Sequence, residues 1–236
     1  MKSSITHRLI YKYDRLREFI NSSIGLFQIN VMKFFKEPET VDLIRSVKKE
    51  VDSMLRPYEA FLIYSIAKAQ SVLEGDMAEV GIYQGGSAKL ICEAKGNRKL
   101  HLFDTFEGLP DVSEIDKNFE DIDFLHTKDI NNTTIESVQK YLEKYDNVFF
   151  YKGKFPDTAE PIKDLVFSFV HLDADLYEST LNGLKFFYPR LLKGGIIISH
   201  DYVTIKGVRK AFEDYFSDKS VPVIELVEQQ CMVIKF

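Results

Sequence analysis

The alternation of apolar and polar positions divides the chain into two parts. Over residues 5–35, apolar residues recur at spacings of three, four or seven, which predicts amphipathic helices. Two more helices are predicted over about 40–55 and 57–74, the second beginning near Pro57 and ending near Gly75. From Met77 onward, short runs rich in Val, Ile and Phe alternate with longer helical stretches. Such an alternation is typical of α/β proteins, so we predict helices first and an α/β domain after them.

Seven strands are predicted in the second part. They are Met77–Ile82, Lys99–Asp104, Asn147–Lys152, Phe167–Asp173, Gly195–His200, Val221–Val227 and Cys231–Lys235. Several are apolar at consecutive positions, as expected where helices cover both faces of a parallel sheet. Only Gln229 and Gln230 separate the last two strands, which predicts an antiparallel hairpin. We therefore predict an N-terminal helical extension over residues 1–56 and, over residues 57–236, a mostly parallel Rossmann-like sheet with helices on both faces and an antiparallel C-terminal hairpin.

Composition and charge exclude several classes of function. The 236 residues are 45% hydrophobic and 28% charged, as in ordinary globular proteins and unlike disordered chains. A net charge of −5 argues against a nucleic-acid partner, because domains that bind nucleic acid carry an excess of basic residues. No apolar run is long enough for a transmembrane segment, and the amino end lacks the apolar core of a secretion signal. With two cysteines that are far apart in sequence, Cys92 and Cys231, these features predict a cytoplasmic protein.

The amino-terminal region differs in charge from the rest of the chain. Residues 1–50 carry 10 Lys and Arg against 6 Asp and Glu, whereas the remaining residues are acidic overall. A basic amphipathic helix can bind a membrane surface. We instead expect these helices to pack against the main domain or a second subunit, and we predict a homo-oligomer that associates through them.

A glycine-rich turn follows the first predicted strand. The segment AEVGIYQGGSAKL, residues 78–90, places Gly81, Gly85 and Gly86 between a strand and a helix. Glycine permits close approach of the backbone to a ligand, and a helix start offers unpaired amides. The spacing matches neither the dinucleotide fingerprint nor the phosphate-binding loop. The segment is therefore either a site for a nucleotide-like ligand or a plain strand-to-helix turn.

Asp104 ends the next predicted strand, 23 residues after Gly81. An acid at about that distance in a doubly wound fold accepts hydrogen bonds from ribose hydroxyls. NAD and S-adenosylmethionine both carry such a ribose, and the glycine spacing disfavours NAD. The alternative role for Asp104 is to cap a helix or a turn.

Two further acids follow neighbouring strands. Asp173 and Asp201 are 28 residues apart, which is enough for one strand–helix–strand crossover. Because the carboxyl ends of parallel strands converge on one crevice, the two carboxylates are expected to meet there. Two carboxylates at one site can hold a hard divalent cation such as Mg²⁺. The alternative is that each acid has a separate structural role.

The ordered motifs AEVGIYQGGS, LHLFDTFEGLP, YKGKFP, HLDADLYEST and LLKGGIIISHDY resemble those of the macrocin O-methyltransferase family. The likeness runs from about Leu55 to Phe216, and the strings FDTFEGLP and DADLYEST are long and unusual enough to make it specific. Members of this family are class I S-adenosylmethionine-dependent enzymes that methylate sugar hydroxyls in antibiotic biosynthesis. The resemblance therefore implies a seven-stranded methyltransferase fold and S-adenosylmethionine as the methyl donor.

The resemblance also implies roles for individual residues. The cofactor-binding residues that it implies are Glu79, Gly81, Gly85, Ser87, Asp104, Thr105, Gly153, Phe155 and Asp173. Asp173 and Asp201 match the carboxylates that bind Mg²⁺ in metal-dependent relatives. The fifth strand of such sugar methyltransferases commonly ends in two adjacent acids, and here that pair is His200 and Asp201. An imidazole thus replaces one of the acids.

The predicted activity is Mg²⁺-assisted methylation of a hydroxyl on a sugar or glycosylated small molecule. The catalytic residues are predicted to be Asp173 and Asp201, acting through Mg²⁺, and His200, acting as a proton acceptor. His171 is expected to be a satisfied core histidine. The predicted contacts with the acceptor are Phe106, Asp123, Tyr177 and Tyr202. Two alternatives stay open: a nicotinamide-dependent oxidoreductase with a similar adenosine pocket, and a noncatalytic partner-binding protein on a methyltransferase fold.

Overall fold

The computed structural model describes residues 14–109, 113–116 and 133–236, with side chains from residue 19 onward. Its α-helices are α1 (Asp14–Phe35), α2 (Pro38–Glu50), α3 (Pro57–Gln70), α4 (Gly86–Ala94), α5 (Ile135–Tyr141), α6 (Tyr177–Arg190) and α7 (Lys206–Phe216). Its strands are β1 (Asp76–Val80), β2 (Leu100–Asp104), β3 (Val148–Lys152), β4 (Phe167–Leu172), β5 (Leu191–Ser199), β6 (Ile224–Glu225) and β7 (Cys231–Ile234).

All seven strands join one sheet in the order β3-β2-β1-β4-β5-β7-β6. The first five strands pair in parallel, and β7 pairs antiparallel with β5 on one side and β6 on the other. The predicted fold class, a mostly parallel sheet with an antiparallel C-terminal hairpin, is confirmed. The strand order reverses between β1 and β4, and open α/β sheets bind their ligands in the crevice at such a point.

Helices cover both faces of the sheet, which explains the consecutive apolar positions in the strands. All six residues of β4 are buried. Ile63 of α3 and Leu90 of α4 belong to the hydrophobic core on one face. Phe187 of α6 and Phe212 of α7 belong to the core on the other face. Because each strand is covered on both sides, an alternation of apolar and polar residues is not required of it.

The N-terminal helices share the first of these two cores. Within residues 5–35, for which helices are predicted, the described part forms one continuous helix, α1. Ile29 and Met32 of α1 pack in the same core as Ile44 of α2 and Ile63 of α3. Every helix in the described part of the chain falls short, in length or in apolar character, of what spanning a bilayer requires.

The C-terminal hairpin is shorter than its sequence pattern predicts. Residues 221–227 are predicted as a strand, but only Ile224 and Glu225 pair with β7. The strand lies at the edge of the sheet, where Pro222 cannot donate a backbone hydrogen bond. The turn between the two strands is longer than the two predicted residues, Gln229 and Gln230. It is closed by a hydrogen bond from Leu226 N–H to the carbonyl oxygen of Gln230 (2.9 Å), and Glu228 within it has a left-handed backbone (φ 68°).

Candidate active site

The glycine turn after β1 is fixed by close contacts with its surroundings. Gly81 has φ +83°, and a Cβ added to it would lie 1.9 Å from the backbone oxygen of Asp173. Gly85 has φ +84° and precedes α4, and a Cβ there would lie 2.9 Å from Cγ1 of Val138. Both glycines therefore have backbone conformations that other residues rarely adopt. The tips of β1 and β4 can approach each other only because Gly81 has no side chain.

Asp104, at the end of β2, organises this turn. Its Oδ2 accepts hydrogen bonds from the backbone N–H groups of Ile82 (2.7 Å) and Tyr83 (3.1 Å), and its Oδ1 accepts one from Phe106 N–H (2.7 Å). The turn-capping role left open by the sequence is thus present in the structure. A carboxylate offers about four acceptor positions, so Asp104 retains about one for a ligand hydroxyl.

Glu79 and His171 form a buried pair beneath the turn. Both side chains are fully buried, and Glu79 Oε1 lies 2.8 Å from His171 Nδ1. Burial raises the pKa of Glu79, against the opposing effect of His171. His171 is a core histidine as expected, but it is only half satisfied, because within the described residues its buried Nε2 has no hydrogen-bond partner. Glu79 does not line the cavity described below. It lies beneath the glycine turn, where it packs in the protein interior.

Asp173, His200 and Asp201 converge where β4 and β5 end. One potential ligand atom from each lies within 4.8 Å of the others. His200 Nδ1 lies 2.9 Å from Asp201 Oδ2 and 3.6 Å from Asp173 Oδ1. The hydroxyl of Thr204 donates to the other oxygen of Asp201 (2.7 Å), which fixes the orientation of that carboxylate. The structure thus brings the two carboxylates together, as the 28-residue spacing predicts.

A third carboxylate, which the sequence did not indicate, faces the other side of His200. Glu59 lies in the first turn of α3 and is fully buried. Its Oε1 is 3.3 Å from His200 Nε2, in an ion pair that lacks the alignment of a regular hydrogen bond. Its Oε2 accepts a hydrogen bond from the backbone N–H of Arg56 (2.8 Å). In sequence, Glu59 resembles any other acid in the first turn of a helix.

The carboxylates around His200 shift the pKa of its imidazole. Burial alone would lower the pKa of His200, yet Asp201, Asp173 and Glu59 together hold that pKa well above its ordinary value. Burial likewise would raise the pKa of Glu59, but the imidazole of His200 holds it below its ordinary value. The carboxylates on both sides of the ring therefore favour the protonated form of His200 over the neutral form.

The same three groups form a set that can hold a divalent cation. Carboxylate oxygens are the ligands that Mg²⁺ prefers, and the Asp173 and Asp201 carboxylates face each other across His200 Nδ1. Glu59 behind the ring corresponds to the carboxylate that commonly orients a metal-binding histidine. The residues therefore fit a metal ion, which would compete with the proton on Nδ1.

A cavity at the strand tips, enclosing about 1270 Å³ with its open mouth included, joins these features. The predicted site residues that line it are Gly81, Ser87, Asp104, Thr105, Phe106, Gly153, Phe155, Asp173, His200 and Asp201. Lining residues that the sequence did not indicate include Ser53, Met54 and Leu55, which connect α2 to α3, and Tyr83. The N-terminal extension therefore contributes directly to the wall of the cavity.

Gly153 and Phe155 form the wall of the cavity after β3. Gly153 has φ +135°, and a Cβ there would lie 2.8 Å from Thr158 Cγ2. The ring of Phe155 stacks on Phe187 at a centroid distance of 5.3 Å and meets Phe103 edge-on. This aromatic cluster holds the wall rigidly against the second core.

Two predicted acceptor contacts lie elsewhere, and a third is not described. Tyr177 is the first residue of α6, and its side chain is directed toward α7. Its hydroxyl donates a hydrogen bond to Asp214 of that helix (3.0 Å). Tyr202 is buried against Phe212, with the Arg209 guanidinium 4.5 Å from its ring centroid. Neither tyrosine lines the cavity. Asp123 lies outside the described residues.

Comparison with known proteins places this site in a family. A model of the macrocin-O-methyltransferase (TylF) family matches residues 63–234. The 8-demethyl-8-(2,3-dimethoxy-alpha-L-rhamnosyl)-tetracenomycin-C 4'-O-methyltransferase of Streptomyces olivaceus is 35% identical over 152 residues, which are 60% of this chain and 58% of that relative. The chain spans about three fifths of the length of the curated relatives that it matches.

Solved structures show the same fold. The O-methyltransferase NovP aligns with a TM-score of 0.67 at 24% identity, covering 78% of this chain and 81% of NovP. An O-methyltransferase from Bacillus cereus, solved in complex with S-adenosylhomocysteine (SAH), aligns with a TM-score of 0.60 at 14% identity, covering 91% of this chain and 100% of that one. The family match covers well over half of the chain. The chain belongs to the macrocin O-methyltransferase family.

Proposed function

We propose that the protein transfers a methyl group from S-adenosylmethionine to a hydroxyl of a sugar-containing small molecule, assisted by a divalent cation such as Mg²⁺ at Asp173 and Asp201. The observation that carries the proposal is one cavity joining the glycine turn and Asp104 to the cluster of Asp173, His200 and Asp201. Family membership supports methyl transfer. The rhamnosyl group in the name of the Streptomyces olivaceus relative supports a sugar-containing acceptor.

The residues near β1 and β2 are suited to bind the donor. S-adenosylmethionine would supply the methyl group from a positively charged sulfonium. The remaining acceptor position of Asp104 would bind a ribose hydroxyl, and Gly81 leaves the turn open to close approach of the ligand. Gly153 and Phe155 would border the adenine side. The SAH complex of the Bacillus cereus neighbour supports this choice of donor.

The residues near β4 and β5 are suited to the acceptor. In an in-line displacement, the hydroxyl oxygen bonds to the methyl carbon as the carbon–sulfur bond breaks, and the hydroxyl proton must be removed. A bound divalent cation would lower the proton affinity of that hydroxyl. The surrounding carboxylates hold the pKa of His200 well above its ordinary value, which disfavours the doubly protonated ring as a proton acceptor, so we assign that role to Asp173 or Asp201.

The activity can be tested by incubating the protein with S-adenosylmethionine, Mg²⁺ and a panel of rhamnosylated and otherwise glycosylated acceptors. We expect SAH to form together with an acceptor that is heavier by one methylene group. Isothermal titration with SAH and with NADH separates the donor classes. Binding of NADH without binding of SAH would contradict the proposal and favour the oxidoreductase alternative.

We also propose self-association through α1 and a cytoplasmic site of action. Large apolar side chains of α1 are exposed, among them Phe27 and Phe34, the latter at 83%. The cysteines Cys92 and Cys231 are free and buried, which fits a reducing compartment. Sedimentation of the wild type as an oligomer, and of a Phe27→Lys, Phe34→Lys variant as a monomer, would support association. A monomeric wild type would contradict it.

A further inference from the structure

The ring of His200 has a carboxylate at each nitrogen, and the two carboxylates differ in their surroundings. Nδ1 faces into the cavity, toward Asp201 (2.9 Å) and Asp173 (3.6 Å). Nε2 faces the protein interior, where the fully buried Glu59 lies 3.3 Å away. The ring itself is only 8% exposed, so it has little freedom to turn. One nitrogen is therefore directed at the two acids, and the other is directed at a buried anion.

This arrangement suits a histidine that binds a metal. A carboxylate at the remote nitrogen holds the proton there, so the near nitrogen can present its lone pair. Glu59 lies where such a carboxylate is needed, 3.3 Å from Nε2, and it is itself held by the backbone N–H of Arg56. A site with two carboxylates and one imidazole differs chemically from a site with oxygen ligands alone.

Imidazole changes which ions the site prefers. Mg²⁺ favours hard oxygen ligands, whereas first-row transition metals accept imidazole readily. Replacing a charged carboxylate by a neutral ring also removes one negative charge, which weakens binding of Mg²⁺ most because that ion depends on electrostatic attraction to oxygen. Mn²⁺ shares with Mg²⁺ a preference for carboxylate oxygens, but as a first-row transition metal it tolerates an imidazole ligand better, so two carboxylates and one ring suit Mn²⁺ better than Mg²⁺.

We propose that His200, oriented by Glu59, is a metal ligand together with Asp173 and Asp201, and that the site binds Mn²⁺ in preference to Mg²⁺. This inference rests on the proposed function for the site's location but concerns the ion alone. Glu59 acts through His200 and is a positioning residue. Asp173 and Asp201 supply the two oxygen ligands.

The direct test is electron spin echo spectroscopy of the full-length protein loaded with Mn²⁺. We expect a ¹⁴N modulation from a bound imidazole, changed by labelling histidine with ¹⁵N and absent in His200→Asp. Calorimetry with Mn²⁺ and Mg²⁺ should show a ratio of affinities in favour of Mn²⁺ that falls in His200→Asp, because that variant restores an oxygen-only site. If that variant does not fold, absence of the nitrogen signal from the wild type would still overturn the proposal.

Glu59→Gln tests the positioning role. The variant preserves the shape of the side chain and removes its charge, and we expect Mn²⁺ affinity to fall by about 10–100-fold, the usual loss when a metal-binding histidine loses its oriented partner. The matched control is Glu228→Gln, since Glu228 pairs with Arg56 in the same network and does not contact His200. Equal losses in both variants would overturn the role of Glu59.

Failure of this inference can be told apart from failure of the proposed function. Methyl transfer and SAH binding without a ¹⁴N signal, or with no preference for Mn²⁺, would overturn the metal inference and leave the methyltransferase proposal standing. Absence of SAH binding and of transfer with either ion would overturn the proposed function. Mn²⁺ binding with a nitrogen signal in such a protein would still support His200 as a ligand.

Discussion

Replacing Gly81 by Ala tests the contact that closes the cavity between β1 and β4. A Cβ at this position would lie 1.9 Å from the backbone oxygen of Asp173, where real Cβ contacts essentially never fall below 3.0 Å, so one backbone segment must move by more than 1 Å. The left-handed φ of +83° adds a separate strain. We expect about 1–2 kcal/mol from the left-handed backbone and about 1–3 kcal/mol from overpacking, hence about 2–5 kcal/mol in total.

Gly194 provides a matched control within the same chain. Its φ is +82°, and a Cβ there would meet nothing within 4 Å. Gly194→Ala should therefore show only the backbone strain of about 1–2 kcal/mol. At about 2–4 °C per kcal/mol for a protein of this size, the midpoint of thermal unfolding should fall clearly further in Gly81→Ala than in Gly194→Ala.

Differential scanning calorimetry and titration with SAH measure the two consequences together. The shift at Gly81 displaces the segment that carries Asp173, so we expect SAH affinity to fall in Gly81→Ala and to stay at the wild-type level in Gly194→Ala. Equal losses of stability in both variants, with SAH affinity retained in both, would refute the reasoning.

Three further predictions concern the donor, the metal and the pH. Asp104→Ala should lower SAH affinity by about 10–100-fold, because a hydrogen bond to a charged group contributes about 1.5–3 kcal/mol; unchanged affinity would remove Asp104 from the donor site. Chelator should abolish methyl transfer, and added divalent cation should restore it. The Asp173→Asn variant should need a higher concentration of cation than the wild type for the same rate. A wild-type rate that chelator does not change would contradict the metal role. Burial lowers the pKa of His101, although Asp76 opposes this shift. The stability that the neutral ring of His101 contributes is therefore fully present above about pH 6.5, and it is lost as the pH falls toward the pKa of His101 in the folded protein. The free energy of unfolding in urea should therefore fall less steeply from pH 7 to 5 in His101→Gln than in the wild type, and equal slopes would argue against a buried, neutral His101.

The fold could be predicted because each strand carries its own signal. Runs such as FSFVHL in β4 are apolar at consecutive positions, and the structure buries all six residues between two helical layers. The convergence of Asp173 and Asp201 follows from the same logic, since parallel strands end at one edge of the sheet. The extent of β6 could not be predicted, because an edge strand pairs only as far as its partner and Pro222 permit.

The roles of single side chains were harder to predict. Glu59 gives no signal in the sequence, because its contact with His200 depends on how α3 packs against the end of β5. Tyr177 and Tyr202 follow strand tips, yet each side chain points toward α7 and not into the cavity. Adjacency to a motif along the chain fixes where a residue lies but not where its side chain points.

A crystal structure with SAH bound tests most directly whether the strand tips form one donor and acceptor site. We predict a ribose hydroxyl within hydrogen-bonding distance of Asp104 and the sulfur facing the side of the cavity where Asp173 and Asp201 lie. A nucleoside bound away from Asp104, or a sulfur directed away from both acids, would contradict the proposed function.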